Sequence, residues 1–135
     1  MANAVIADAS VLIALISRRD RHHAWAVSQA RQWPAPWLTC ESALSEAFFL
    51  CGITGRKALA DFVRSGLVKL QFDLVTEIEP VLALMEKYRD VPMSLADACL
   101  VRMTEIVAEP IVLTTDSDFR LYRRHSRQVV PSVMP

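Results

Sequence analysis

The sequence predicts an α/β fold in three layers, a mostly parallel central sheet with helices on both faces. Three observations carry this. Short apolar runs of strand length alternate along the chain with stretches of helical periodicity. Two of the most apolar runs, Val5-Ile6-Ala7 and Ile111-Val112-Leu113-Thr114, lead into an acid, Asp8 and Asp116, at the carboxyl end where open parallel sheets place their ligands. Hydrophobic residues make up 53% of 135 residues, enough for the core of one domain spanning 1–135.

The elements follow in order. Val5 to Ala7 reads as a buried strand, and Val11 to Ile16 as the start of a buried helix, with Asp8 between them. Arg18 to His23 is a polar turn in which Asp20 can cap a second helix, about His22 to Trp33. Pro34-Ala35-Pro36 stops it, and Trp37-Leu38-Thr39 is a short strand. A third helix, about Glu41 to Cys51, closes at Gly52, and a fourth runs from Gly55 to Arg64. Leu67 to Phe72 alternates as an edge strand should. Thr76-Glu77-Ile78-Glu79 has the form of a capping box, with Pro80 in the first turn of a fifth helix reaching Tyr88. Ser94 caps a sixth, Leu95 to Val107. After Ile111–Thr114 comes an acidic turn, then a basic turn from Arg120 to Arg127, then a last strand at Val129-Val130.

Bulk charge selects no partner, since 15 Lys and Arg balance 15 Asp and Glu. No apolar stretch approaches the roughly 20 residues of a membrane helix. The amino-terminal residues lack a signal-type pattern, so a soluble, cytoplasmic protein is expected. Cys40, Cys51 and Cys99 are odd in number, form no C-x-x-C pair and sit among apolar residues, which speaks for buried thiols and against zinc.

Four acids do not sit where solvated charges should. Asp8 interrupts two buried runs, although it also suits a helix N-cap. Glu46 shares a helical stripe with Ser42, Ala43, Phe49 and Leu50, so its carboxylate is expected to face the protein body; a snorkelling side chain is the alternative. Asp97 occupies the acid position of a Ser94-Leu95-Ala96-Asp97 capping box yet borders Leu100 and Val101. Asp116 ends a strand, or is a turn residue with Asp118 as its Asx partner. Converging carboxylates repel one another and require a cation at neutral pH. A ligand set of oxygens without His or Cys suits Mg²⁺ or Mn²⁺, and a carboxylate-held ion of that kind serves mainly phosphoryl chemistry.

The chain resembles the PIN domain family, and within it the VapC-type toxin ribonucleases. The matching segments are Val5–Leu12, Ser45-Glu46-Ala47, Leu95-Ala96-Asp97-Ala98 and Val112–Phe119. The resemblance implies a Rossmann-like sheet with the first and fourth strands adjacent at its centre. It implies that Asp8, Glu46, Asp97 and Asp116 form the catalytic metal site, with the hydroxyls of Ser10 and Thr115 in support and Asp118 as a candidate further ligand. It also implies an RNA substrate, an antitoxin partner and a homodimer.

With four acids in one site, the remaining charge is net positive. It clusters at Arg18, Arg19 and Arg21 and at Arg120, Arg123, Arg124 and Arg127. Arg18, Arg19, Arg120, Arg123 and Arg124 are candidate phosphate contacts, and Tyr122, His22, His23 and His125 candidate stacking surfaces for bases. Trp25, Trp33 and Trp37 read as core residues, or else as a groove for an antitoxin segment or second subunit. The expected activity is a Mg²⁺-dependent endoribonuclease that uses metal-activated water and leaves 5′-phosphate ends. The alternatives are a silent PIN-like binding module and a non-toxin RNA-processing nuclease.

Overall fold

A computed structural model describes residues 3–135. The elements are β1 (Ala4–Ala7), α1 (Ala9–Ile16), α2 (His23–Gln32), β2 (Trp37–Thr39), α3 (Glu41–Leu50), α4 (Gly52–Arg64), β3 (Val68–Leu70), α5 (Leu74–Lys87), α6 (Leu95–Ile106), β4 (Pro110–Leu113), a 3₁₀ turn (Ser117–Arg120), β5 (Arg123–Arg124), β6 (Gln128–Val129) and β7 (Ser132–Val133). Five strands form one sheet in the order β3-β2-β1-β4-β7, and every pairing in it is parallel. β1 and β4 lie side by side at its centre, as expected.

Because successive side chains of a strand point to opposite faces, a central parallel strand must be apolar on both. β1 shows this. Ile6 joins Leu38 and Val112 in a core closed by α5 and α6. Val5 and Ala7 join Trp37 and Leu113 in a second core closed by α1, α2 and α4. The three expected layers are therefore present. α3 contacts both α1 and α6, and contributes Ala43 to one core and Ala47 to the other. Trp37 is buried and Trp25 and Trp33 pack against the same core, so the tryptophans are packing residues and not an open groove.

Several boundaries differ from the sequence reading. α5 begins at Leu74, not after Thr76, because Asp73 accepts the backbone N–H groups of Val75 and Thr76 and also the Thr76 hydroxyl. Thr76 is thus a helical residue serving the cap, and Pro80 lies inside the helix. Asp20 does not cap α2; it accepts the His22 N–H at 2.8 Å and folds the turn ahead of the helix. Gly52 takes φ +72°, the left-handed state expected past a helix end, and α4 restarts there and not at Gly55. The basic turn is a small antiparallel hairpin of β5 and β6, with His125 and Ser126 at positive φ. The strand expected at Val129-Val130 belongs to that hairpin. The fifth strand of the main sheet is β7, two residues between prolines, too short to carry a period.

The layering makes a test. Leu12 and Leu100 are both fully buried, one in each core. Leu12→Ala and Leu100→Ala should each lower the unfolding free energy by about 2–5 kcal/mol. Separated by the sheet, their costs in the double variant should add to within about 0.5 kcal/mol. Urea denaturation measures all three; strong non-additivity would contradict two independent cores.

Candidate active site

The pairing of Ala7 with Leu113 sets Asp8 level with Thr114 at the carboxyl edge of the two central strands. The Asp8 N–H donates to the Leu113 carbonyl at 3.1 Å, which continues the ladder by one rung. Asp8 occupies the N-cap position of α1, but its side chain makes no capping bond. Its Oδ2 instead accepts the Thr114 hydroxyl at 2.7 Å and the Ser10 hydroxyl at 2.9 Å. The Thr114 Oγ1 also accepts the Asp116 N–H at 2.9 Å, and Ser10 Oγ accepts the Thr115 N–H at 3.0 Å. One hydroxyl therefore joins the acid after β1 to the acid after β4. Of the two expected supporting hydroxyls, that of Ser10 bonds Asp8; the other hydroxyl on Asp8 is that of Thr114, one residue before the expected Thr115, which contributes its backbone N–H to Ser10 Oγ. The strand register, Asp8 level with Thr114, was the signal that could have found it.

Asp97 forms the expected capping box with Ser94: its N–H donates to Ser94 Oγ at 3.0 Å, and its Oδ2 accepts the Ser94 N–H at 3.4 Å. That same Oδ2 accepts the Tyr122 hydroxyl at 2.9 Å. Asp116 Oδ1 accepts the Asp118 N–H at 2.9 Å and opens the 3₁₀ turn, so the Asx turn forms. In Asp8, Asp97 and Asp116 alike, one carboxylate oxygen takes the protein's hydrogen bonds. The other oxygen has none among the described residues.

Glu46 is a correction. It is exposed, and so are its neighbours Phe49 and Leu50; the buried positions of α3 are Ala43 and Ala47. The stripe of small residues makes the contact, and these two large apolar side chains beside it stay exposed. Glu46 still lies within electrostatic reach of the other acids. Partial burial and the charges of Asp97 and Asp116 raise its pKa. Burial raises that of Asp97, against the Tyr122 and Ser94 hydrogen bonds that lower it, with the Asp116 charge adding to the rise. Asp8 is pushed from 3.8 to about 6, chiefly by burial, with the Thr114 and Ser10 bonds opposing and the charges of Asp97 and Glu46 adding.

The arginines do not gather here as a set. Arg120 is exposed on the turn that follows Asp116. Arg123 folds back, donating through one nitrogen to the carbonyls of Arg120 and Tyr122. Arg124 donates to the Thr104 carbonyl and lies beside Asn3, Glu109 and Pro131, at the amino edge of the sheet, opposite the acids. Arg18 and Arg19 line a surface cleft with Thr54 and Ala58 beyond the far end of α1, about 12 Å of helix from Asp8. Tyr122 is no stacking surface: it is fully buried, and its hydroxyl bonds to Asp97. Its spacing from Phe119, three residues apart in a tight turn, hinted at burial.

Among the described residues, no three His, Cys, Asp or Glu side chains stand close enough together to enclose an ion directly. The donor set nonetheless fits one class of ion. It offers only carboxylate oxygens, one of each positioned acid left open, and Asp8 is buried 5% exposed without a cationic side chain bonded to it. Mg²⁺ keeps several waters and binds through one or two carboxylates, so it does not need a closed cage.

The sequence matches the PIN domain family over residues 5–124. The chain belongs to that family. Among solved structures it is similar to Mycobacterium tuberculosis VapC20, a sarcin-ricin loop cleaving toxin, with a TM-score of 0.75 and 20% identity over 85% of this chain and 92% of that one. A search of curated proteins gave no match. Among the described residues no helix is long and apolar enough to cross a membrane.

The acids predict a pH signature. A carboxyl group whose folded pKa is raised stabilises the fold fully below its unfolded pKa, and that stability is lost as pH rises through the folded value. For Asp8 the rise from 3.8 to about 6 corresponds to about 3 kcal/mol lost on going to neutral pH. Glu46 and Asp97 shift in the same direction. In EDTA, the melting temperature should therefore climb as pH falls from about 7 to about 5, and Asp8→Asn should flatten the climb. A melting temperature that is level or falling over that interval would show that the Asp8 carboxyl is not desolvated.

Proposed function

We propose that this protein is an endoribonuclease that requires Mg²⁺ or Mn²⁺ and cleaves RNA with water, not the RNA 2′-hydroxyl, as nucleophile. One observation carries the reading. A buried carboxylate, Asp8, is held at the carboxyl edge of a parallel sheet by two hydroxyls and, among the described residues, by no cationic side chain, within electrostatic reach of other acids. Such a site is complete only with a positive ion. When bound, the ion supplies Lewis-acid activation of water and neutralises charge on the leaving oxygen. Asp8, Asp97 and Asp116 would hold it with their open oxygens, one or two of them directly and the rest through its bound waters, with Glu46 reaching in from α3 and Asp118 beside them. Thr114 and Ser10 orient Asp8. Arg120, exposed next to Asp116, is placed to contact a phosphate; Arg18 and Arg19 would meet RNA only along a longer path over α1. The family membership and the fold shared with a VapC toxin support a role as the toxin of a toxin–antitoxin pair with an antitoxin protein as partner; a homodimer is proposed alongside it.

A second reading, a PIN domain that binds without cleaving, is favoured by the spacing of the acids, which are not close enough together to enclose an ion. Cleavage of a labelled RNA separates the two. Activity should disappear in EDTA and return with Mg²⁺ or Mn²⁺. It should fall by orders of magnitude in Asp8→Asn and Asp116→Asn, and its products should carry 5′-phosphate and 3′-hydroxyl ends. Cleavage surviving EDTA, or 2′,3′-cyclic phosphate ends, would refute the mechanism; no cleavage with either ion would leave the binding module standing. Arg120→Ala should instead weaken RNA binding and lower the slope of log affinity against log salt by about one.

A further inference from the structure

Tyr122 is fully buried, yet it carries a hydroxyl that a core position does not require. Its ring is fixed from two sides, edge-on to Tyr88 at 5.2 Å and 65° and to Phe119 at 5.3 Å and 79° between centroids and planes. Its backbone N–H donates to the Asp118 carbonyl at 3.3 Å, so the ring is anchored to the turn that Asp116 opens. The only side chain its hydroxyl reaches among the described residues is Asp97, 2.9 Å away on α6. A neutral O–H to a carboxylate is a charge-assisted bond, shorter and stronger than a neutral pair.

We propose that Tyr122 is a positioning residue for the metal site: its hydroxyl fixes the Asp97 carboxylate against the turn bearing Asp116 and leaves Asp97 Oδ1 open for the ion. The inference rests on the reading of Asp97 as a metal-holding acid. Two constraints act on Asp97, and both fall on Oδ2. The Ser94 N–H bond, at 3.4 Å, is long; the phenol bond, at 2.9 Å, is the closer of the two. Without the phenol, the capping box alone would hold the side chain, and the carboxylate could turn away from Asp116. Tyr122 also sets the distance between two acids that no backbone pairing fixes, because Asp97 lies in the first turn of α6 and Asp116 lies past the end of β4. Residues that orient a ligand in this way typically contribute roughly 10- to 100-fold in metal affinity.

The test is Mn²⁺ binding followed by electron paramagnetic resonance on the intact protein, with the melting temperature recorded for every variant. Tyr122→Phe keeps the ring and removes one oxygen, so the fold should persist while Mn²⁺ affinity falls roughly 10- to 100-fold. Tyr88→Phe is the control. Tyr88 packs on the same ring, and its hydroxyl accepts the Arg123 N–H at 2.9 Å, but it touches no acid. It should lower the melting temperature and leave Mn²⁺ affinity unchanged. In cleavage, Tyr122→Phe should need more Mg²⁺ for half-maximal rate and recover at high Mg²⁺. Equal Mn²⁺ affinity in wild type and Tyr122→Phe, or equal losses in Tyr122→Phe and Tyr88→Phe, would overturn the proposal. Absence of Mn²⁺ binding by the wild type would instead strike the metal-site reading on which it rests.

Discussion

The bond between the Thr114 hydroxyl and the Asp8 carboxylate is the constraint around which the rest is arranged. It spans 106 positions of sequence and closes at 2.7 Å. It exists only because β1 and β4 are adjacent, parallel and in a register that sets Asp8 level with Thr114. A slip of one residue would put a different side chain beside Asp8 and reverse both faces of each strand. Since Val5 and Ile6 belong to opposite cores, that slip is opposed by nearly all the apolar packing of the molecule. The register that buries the core is therefore the register that places the acids. Function adds no separate positioning device at this step.

Thr114 can do this because a hydroxyl has one proton to give and lone pairs to receive with. It gives the proton to Asp8 and receives the Asp116 N–H. A valine of similar shape would pack as well and do neither. It would leave a buried carboxylate with the Ser10 hydroxyl alone, a larger cost than the loss of one ordinary hydrogen bond because the acceptor is charged. Asp97 and Glu46 come within electrostatic reach of Asp8 by other routes. Asp97 arrives through a capping box, which turns its carboxylate back toward Ser94 ahead of the helix. Glu46 arrives because α3 bridges the two helical layers through small residues, which lets its backbone approach both.

This division explains what was legible in the sequence. Alternation of strands and helices, the strand-end placement of Asp8 and Asp116, and the Ser94–Asp97 box are local patterns, and they were readable. Glu46 was expected to face the protein body and is exposed, because Phe49 and Leu50 dominate a hydrophobic stripe whereas Ala43 and Ala47 make the contacts. Thr114, Tyr122 and the inward turn of Arg123 and Arg124 depend on what lies across the sheet or beneath the hairpin. Basic side chains in a turn look the same in sequence whether they meet solvent or their own backbone carbonyls. β7 was missed for a different reason: two residues have no period, and its place is set by β4.

The energetics of the acids tie the fold to its chemistry. A domain is stable by only about 5–15 kcal/mol, and the Asp8 carboxylate alone takes about 3 kcal/mol of that at neutral pH. Asparagine at this position would keep an acceptor for Thr114 and Ser10 and remove the charge, so stability by itself does not select aspartate. The charge has value only against a positive partner, and the side chains bonded to Asp8 are hydroxyls. Parallel strand ends, a bridging threonine and a buried tyrosine hold carboxylate oxygens in place, while burial and the neighbouring charges make their ionisation costly. A ligand that binds only the native state returns that cost in proportion to the logarithm of its concentration over its dissociation constant. A divalent cation held at these acids, as proposed, would therefore act twice, once in the chemistry and once in the stability of the sheet edge.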